Sequence, residues 1–215
     1  MTIENAPYLS LIISLLSFFI SLATIYFSFI RPSKIKVSIG PHFKFYHHDY
    51  NKGMATGFYI PVTFFNTSNR SSVIQKTAIE IYRQTTQQKR FFIHGSNYSE
   101  LNSADNKWKN KEMAYAIPIL GKSAHHKIIR FCWDACNDEK LLMLEGTYNI
   151  DFLYWLSSVE KPVRIRHEIT IDSQQAELVK QHREEKRTTT IGLVLDKELD
   201  MNKLLSAHES RSLLN

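Results

Sequence analysis

The segment LLMLEGTYNIDFLYW, residues 141–155, indicates the fold most strongly. From Tyr148 onward every second residue is large and aromatic or aliphatic, and this period of two is typical of a β-strand with one buried face. Gly146 supplies a short turn just before the strand. In this context the Tyr148 hydroxyl is expected to bond to backbone groups a few residues upstream and to fix the entry into the strand. Tyr148 is therefore predicted to have a structural role.

The same pattern recurs on both sides of this segment, from residue 31 to residue 172. Short runs rich in Val, Ile, Phe and Tyr alternate with polar turns such as NTSNRSS, SNYSELNSADNKWKN and NDEK. Many short strands without long helices between them predict a mainly β domain, either a sandwich or a barrel. The predicted strands are Ile35–Tyr46, Gly57–Asn66, Ile74–Gln84, Arg90–His94, Met113–Ile119, His126–Trp133, Gly146–Leu156 and Pro162–Ile171.

Three of these segments resemble those of bacterial proteins with one N-terminal membrane span and a cytoplasmic immunoglobulin-like β-sandwich. They are IPVTFFNTSNRSS (60–72), AIPILGKSAHHKIIRF (116–131) and GTYNIDFLYW (146–155), the last with the context of a tyrosine corner. The resemblance implies an Ig-like antiparallel sandwich of seven or eight strands and a role in interaction. It implies no catalytic residue, because a shared fold does not determine an activity.

The composition changes after residue 172. The segment SQQAELVKQHREEKR contains good helix formers and has a candidate N-cap in Asp172 or Ser173. Residues 188–196 are predicted as a short strand and residues 197–214 as a weak helix. The tail, 173–215, is interpreted either as a partly ordered terminus or as a segment that docks on a partner.

Residues 8–30, YLSLIISLLSFFISLATIYFSFI, contain no charged residue, Gly or Pro. About 20 apolar residues in a helix cross a hydrocarbon core of about 30 Å, so this segment is predicted to span a membrane. A cleaved signal peptide is disfavoured because no Lys or Arg precedes the apolar run. Arg31, Lys34 and Lys36 follow it, and the positive-inside rule places residues 31–215 in the cytoplasm and residues 1–7 outside the bacterial inner membrane.

Hydroxyl side chains recur within the span at steps of four and three residues. A mean period of 3.5 residues places them on one stripe, as in a left-handed helix pair, where hydroxyls can bond across the interface. The simpler alternative is that each hydroxyl bonds to a carbonyl of its own helix. The stripe consists of Ser10, Ser14, Ser17, Ser21, Thr24 and Ser28.

The formal net charge of +6 is concentrated in residues 31–172, which hold 20 Lys and Arg against 13 Asp and Glu. Anionic lipid attracts such a domain, and Arg31, Lys34 and Lys36 are predicted to lie at the membrane surface. Nucleic acid is not favoured, because no binding motif accompanies the charge. A second set of cations would bind an anion, such as a nucleotide phosphate, if its strands converge; otherwise it is the wet face of a sheet. This set consists of Arg164, Arg166, Arg130 and Lys127.

Motifs for catalysis and metal binding are missing from the sequence. Cys132 and Cys136 have C-x3-C spacing, which is neither a redox pair nor half of a four-cysteine zinc site. His47 and His48 are adjacent, so on a strand they point to opposite faces. Nucleophile-elbow, Walker, dinucleotide-binding, zinc-protease and kinase patterns do not occur. No enzyme, cofactor or metal is therefore expected.

The expected function is that of a non-enzymatic, membrane-anchored interaction or accessory protein. It would assemble through its helix and its β domain, as a homo-oligomer or with a membrane or cytoplasmic partner. The alternative is a ligand-gated membrane effector, as in some bacterial antiphage systems. In that hypothesis the β domain senses a small anionic signal, and the helices oligomerise to perturb the membrane.

Overall fold

The computed structural model describes residues 6–50, 53–86, 89–102, 107–134, 136, 138–157, 159–187 and 190–195. The predicted helix at 197–214 and the first five residues of the predicted external N-terminus lie outside these ranges. Helix α1 covers Ala6–Ile25 and continues as a π-helical turn over Tyr26–Ile30. Helix α2 covers Ser173–Glu184, and a single 3₁₀ turn covers Gln84–Thr86.

The described residues contain eleven strands, all of them paired antiparallel. They are β1 (Ile35–Ile39), β2 (His42–Tyr50), β3 (Gly53–Asn66), β4 (Ser72–Arg83), β5 (Phe91–Asn102), β6 (Lys107–Met113), β7 (Ile117–Ile119), β8 (Ala124–Trp133), β9 (Gly146–Leu156), β10 (Val163–Ile171) and β11 (Ile191–Val194). The main order is β10-β9-β4-β5-β8-β3-β2-β11, with β1 beside β3, β6 beside β5 and β7 beside β4.

Strand β5 connects two halves of this sheet. Its first part pairs with β4, and after an irregularity near Gly95 its second part pairs with β8. The outer strands β10 and β11 approach each other, so the sheet is nearly closed into a barrel. The mainly β, antiparallel prediction is confirmed, but the predicted count of seven or eight strands is too low and the Ig-like sandwich is not confirmed.

The core lies between the inner faces of the two halves. Phe152 on β9 is fully buried and packs against Phe64 on β3, with ring centroids 6.4 Å apart, and against Phe131 on β8, at 6.3 Å. Burying a side chain of this size contributes about 1.5–3 kcal/mol. These contacts between distant segments hold the two halves together.

The strand that enters from the helix is divided near Gly40. The sequence predicts one strand over Ile35–Tyr46, but β1 and β2 separate where they pass Pro61 of β3. Proline has no N–H to donate to the ladder. The Gly40 N–H instead donates to the Pro61 carbonyl at 2.8 Å.

A β-hairpin replaces the predicted turn SNYSELNSADNKWKN. Strands β5 and β6 pair from Asn97 with Met113 to Asn102 with Lys107. Trp108 of β6 stacks on Tyr59 of β3, with centroids 4.3 Å apart. This strand pair could not be predicted from its polar composition. Its stability depends on an aromatic contact with a strand that is distant in sequence.

Tyr148 makes the predicted local bonds. Its hydroxyl accepts from the Leu144 N–H at 2.8 Å and lies 3.0 Å from the Leu144 carbonyl, to which it can donate. The side chain is buried, and burial raises the pKa of its hydroxyl. The turn into β9 is thereby fixed.

The described part of the tail belongs to the β domain, so the boundary predicted at residue 172 does not divide the structure. Asp172 is the N-cap of α2 and forms a capping box with Gln175, as predicted for this helix start. Val179 of α2 and Leu193 of β11 are both buried in the core. Strand β11 pairs with β2.

Candidate functional site

Helix α1 and its π-helical turn form one apolar rod. The segment Tyr8–Ser28 has a mean hydropathy of 2.2, and none of it is buried against the rest of the described chain. The rod ends at Arg31, whose backbone turns extended before Pro32, as steric contact with a proline requires. A helix of this length and composition is able to cross a membrane.

The hydroxyls of α1 bond within the helix in three cases. Ser14 donates to the Ser10 carbonyl at 2.9 Å, and Ser21 donates to the Ser17 carbonyl at 2.9 Å. Thr24 makes the same type of bond at 2.8 Å. This is the simpler of the two alternatives for these residues. Ser28 lies in the π-helical turn, where the α-helical spacing of the stripe ends.

Four parts of the chain meet at the end of the β domain that α1 enters. Register places the start of β1 beside the end of β3, the start of β8 beside the same end of β3, and the end of β7 beside the start of β4. The end of β9 and the start of β10 join them there. We call this the proximal end of the domain, and the opposite end, with the β2–β3 hairpin, the distal end.

The turns of the proximal end are held against one another by backbone bonds. The Lys122 N–H donates to the Ser68 carbonyl at 2.8 Å, and the Thr67 N–H donates to the Lys34 carbonyl at 3.0 Å. Gly121 passes so close to Asn69 that a Cβ atom would lie 1.8 Å from the Asn69 carbonyl oxygen. Only glycine permits this approach.

The proximal end is strongly basic. Residues 31–36, 66–72, 119–124 and 156–163 together hold six Lys and Arg residues and one acidic residue, Glu160. All six cationic side chains are exposed. They are Arg31, Lys34, Lys36, Arg70, Lys122 and Lys161.

Two large apolar side chains are exposed among these cations. Leu120 is 64% exposed and Val159 is 48% exposed. They lie in the β7–β8 and β9–β10 connections, beside Lys122 and Lys161 respectively. Exposed apolar side chains within a basic surface are typical of proteins that contact an anionic membrane.

Sequence reasoning identified Arg31, Lys34 and Lys36 but missed the other three cations of this surface. Arg70, Lys122 and Lys161 occur singly in turns that are far apart in the sequence. In the structure each of these turns follows an odd number of strand reversals from the start of β1, which brings it to the same end.

Arg164 and Arg166 lie together on β10, but carboxylates already bind them. Arg166 grips Asp151 of β9 with two bonds, 2.7 Å from Nε and 3.0 Å from Nη2. Arg164 contacts Asp151 at 3.4 Å and Glu80 of β4 at 3.3 Å. Glu80 also binds Arg90 at 3.3 Å. Because Asp151 is fully buried, these arginines stabilise its charge, and Asp151 in turn raises the pKa of Arg166.

Arg130 and Lys127 do not join that pair or each other. They are three residues apart on β8, so their side chains leave opposite faces of the sheet. The Arg130 Nε donates to the Tyr46 hydroxyl at 2.8 Å. Lys127 bonds Glu112 at 2.8 Å, which lowers the pKa of that carboxyl, and lies 4.6 Å from the centre of the Tyr98 ring. The four cations, which would bind one anion only if their strands converged, thus occupy three separate places.

The two cysteines are not bonded to each other. Cys132 is half-buried and Cys136 is exposed, and both are free thiols. Burial raises the pKa of the Cys132 thiol. A thiol with a raised pKa is a poor nucleophile at neutral pH.

The chain was compared with known proteins. No protein-family model matches it, and no curated protein does. One similar solved structure is described as the ApaA protein of Bordetella pertussis, with 8% identity, 78% of this chain and 98% of that chain covered, and a TM-score of 0.33. The sporulation control protein Spo0M of Bacillus subtilis is 11% identical, and the match covers 70% of this chain and 55% of that chain, with a TM-score of 0.30. A family 123 glycoside hydrolase of Clostridium perfringens is 9% identical, and the match covers 63% of this chain and 27% of that chain, with a TM-score of 0.31. At these TM-scores the similarities carry no argument about function.

Proposed function

We propose that this chain is a non-enzymatic, single-span protein of a bacterial inner membrane, with its N-terminus outside and its β domain in the cytoplasm. The proximal end of the domain rests on the anionic inner leaflet. The observation that carries this proposal is the proximal surface itself, with six exposed cations, one acid and two exposed apolar side chains next to the apolar helix.

The length of the linker supports this placement. Only residues 31–34 separate the end of the π-helical turn from β1. Four residues span at most about 14 Å when fully extended. If α1 crosses the bilayer, the proximal end is therefore held within the headgroup region or close to it.

Charge and apolar contact both favour such docking. Each Lys or Arg near an anionic leaflet contributes about 1 kcal/mol at physiological ionic strength. Leu120 and Val159 add apolar area that can enter the interfacial region. Because the cations and the apolar side chains lie on one surface, they favour one orientation of the domain on the membrane over free rotation.

Lipid composition tests this docking. The full chain would carry Leu120→Cys with an environment-sensitive fluorophore, in a Cys132→Ala, Cys136→Ser background. In bilayers with anionic lipid we expect strong quenching by spin-labelled lipid, and in purely zwitterionic bilayers we expect weak quenching. Equal quenching in both bilayers would contradict electrostatic docking of the proximal end on the membrane.

Assembly through α1 is the second part of the proposal. The partner is another copy of the chain or another membrane protein, and the chain acts as an accessory or anchoring subunit. Support comes from the helix surface, which is exposed all round, and from the regular hydroxyl stripe. Hydroxyls bonded to their own carbonyls can still accept a bond from a neighbouring helix.

Replacing Ser14, Ser17 and Ser21 by Leu is expected to weaken self-association in bilayers. Interhelical polar bonds average about 0.6 kcal/mol each, so three of them correspond to roughly a twenty-fold change in the dimer dissociation constant. Energy transfer between labelled copies measures that constant. The matched control places Leu at Ile12, Phe19 and Ala23 on the opposite side of the helix. Equal effects of the two triple variants would contradict a specific stripe.

A further inference from the structure

A small cavity lies at the distal end of the β domain, between the β2–β3 hairpin and the C-terminal end of α2. Its volume is about 200 Å³. This is below the roughly 300–1,000 Å³ of sites for drug-sized ligands, so it suits a small ionic group. The cavity is lined by His47, Asp49, Met54, His182, Arg183, Lys186 and Arg187.

The lining contains a buried hydrogen-bonding atom without a partner. His47 is only 6% exposed, and its Nε2 atom has no hydrogen-bond partner among the described residues. The other ring nitrogen, Nδ1, lies 2.8 Å from the Thr56 hydroxyl. A buried polar atom left without a partner costs about 1–3 kcal/mol, so such atoms usually have one.

The bonds of Thr56 define the protonation of His47. The Thr56 hydroxyl donates its only proton to the Leu141 carbonyl at 2.6 Å. It must therefore accept from Nδ1–H, which leaves Nε2 as a lone-pair acceptor in the neutral ring. Burial, together with the nearby Arg183 guanidinium, lowers the pKa of His47 to about 4. The Nε2 atom of His47 therefore needs a ligand group that donates a hydrogen bond to it.

The charged side chains of the cavity call for an anion. Lys186 pairs with Asp49 at 3.0 Å, and Arg187 pairs with Glu185 at 2.5 Å. The half-buried Arg183 side chain has no ion-pair partner among the described residues. Cations near a helix C-terminus offset the helix dipole. Offsetting the dipole of α2 does not, however, require that the Arg183 guanidinium lie beside the buried Nε2 atom of His47.

A metal ion does not fit these residues. Three cationic side chains line the cavity against one carboxylate, that of Asp49. No group of three His, Cys, Asp or Glu residues with metal-binding geometry occurs in the described part of the chain. The ligand must instead accept bonds from cations and donate one to Nε2.

We propose that this cavity binds a phosphate group that carries one proton, as free phosphate or as a small phosphomonoester. The P–OH group donates to His47 Nε2, and the other oxygens accept from Arg183 and Lys186. The groups that face His47 are Arg183 and His182 from α2, Asp49 from its own strand, and Lys186 and Arg187 from the segment after α2. Among them only Asp49 would oppose an anion, and Lys186 neutralises it.

This geometry has a consequence for protons. At pH 8 a phosphomonoester is mostly the dianion, which carries no proton, so its binding takes up about one proton from solution and its affinity falls about tenfold per pH unit above that. Inorganic phosphate at pH 8 is mostly HPO₄²⁻, which already carries the required proton and binds without net proton uptake. Sulfate carries no proton at these pH values and offers Nε2 only acceptors. We expect it to bind at least about tenfold more weakly than phosphate.

Calorimetry of the full chain in detergent, with methyl phosphate and with inorganic phosphate at pH 8, tests this. Titrations in two buffers of different ionisation enthalpy give the number of protons taken up, expected to be about one for methyl phosphate and about zero for inorganic phosphate. Arg183→Gln is expected to weaken binding by about tenfold or more, since a charge-assisted bond is lost, while the thermal unfolding midpoint stays unchanged. Lys180→Gln, on the exposed side of the same helix, is the matched control. Absence of saturable binding, equal binding of sulfate, zero proton uptake with methyl phosphate, or an equal effect of the two variants would each overturn the proposal.

Discussion

Replacing both Phe18 and Phe19 by Arg is expected to move the protein from the membrane fraction to the soluble fraction. The two residues lie at the centre of Tyr8–Ser28. Arginine at the centre of a spanning helix costs about 2.5–3.5 kcal/mol, and each lost Phe removes a further few tenths, so the pair costs about 7 kcal/mol. Residues 8–30 contain fourteen Leu, Ile and Phe residues, which together favour insertion by about 4–8 kcal/mol on the same scale. The substitutions therefore cancel the whole driving force.

Carbonate extraction followed by immunoblotting measures this change. The matched control is Phe18→Leu with Phe19→Leu, which changes the same positions but keeps the apolar character. The control protein is expected to stay in the membrane pellet. A double-arginine variant that still resists carbonate extraction would contradict a spanning role for α1.

Replacing Arg70, Lys122 and Lys161 by Gln is expected to release the β domain from the leaflet while the chain stays anchored. Each of these exposed cations contributes about 1 kcal/mol near an anionic surface. Losing three corresponds to about 3 kcal/mol, or roughly a hundredfold change in the docking equilibrium. The fluorophore at position 120 reports it as a loss of quenching by spin-labelled lipid in bilayers with anionic lipid.

The same loss of charge elsewhere separates docking from a general electrostatic effect. Lys89, Lys140 and Lys180 lie away from the proximal end, and their joint replacement by Gln also removes three charges. We expect that variant to keep the quenching of the parent protein. If both triple variants lost quenching to the same extent, net charge and not the proximal surface would hold the domain at the membrane.

Much of the fold was predictable because local patterns and tertiary packing agree there. Strand β9 begins and ends where the period of two predicts it, and Tyr148 bonds to the backbone of Leu144. The N-cap at Asp172 follows from its side chain and from Gln175 three residues later. In each case the controlling contact lies within a few residues of the chain.

The missed features depend on contacts between distant residues. The β5–β6 hairpin has a polar sequence, and its Trp108 is held by Tyr59, which belongs to another strand. The break at Gly40 depends on Pro61 in the neighbouring strand. Such pairings are decided by register, which a period of two leaves open.

The candidate surfaces follow the same rule. Arg31, Lys34 and Lys36 were predictable because they are adjacent to the helix in sequence. The sequence left open whether Arg164 and Arg166 form an anion site, because their carboxylate partner, Asp151, lies on another strand and cannot be recognised from the sequence. The acceptor in the distal cavity required knowledge of the Thr56 bond to Leu141, which joins residues 85 positions apart.

The side of the membrane on which the β domain lies can be measured with its own thiol. Cys136 is exposed on the domain, and Cys132 is replaced by Ala to leave a single target. In sealed spheroplasts a membrane-impermeant maleimide is expected to leave Cys136 unlabelled and to label it only after the membrane is opened. A variant with Thr2→Cys as its only thiol is expected to react in intact spheroplasts. Labelling of Cys136 in intact spheroplasts to the same extent as after lysis would contradict a cytoplasmic domain seated on the inner leaflet.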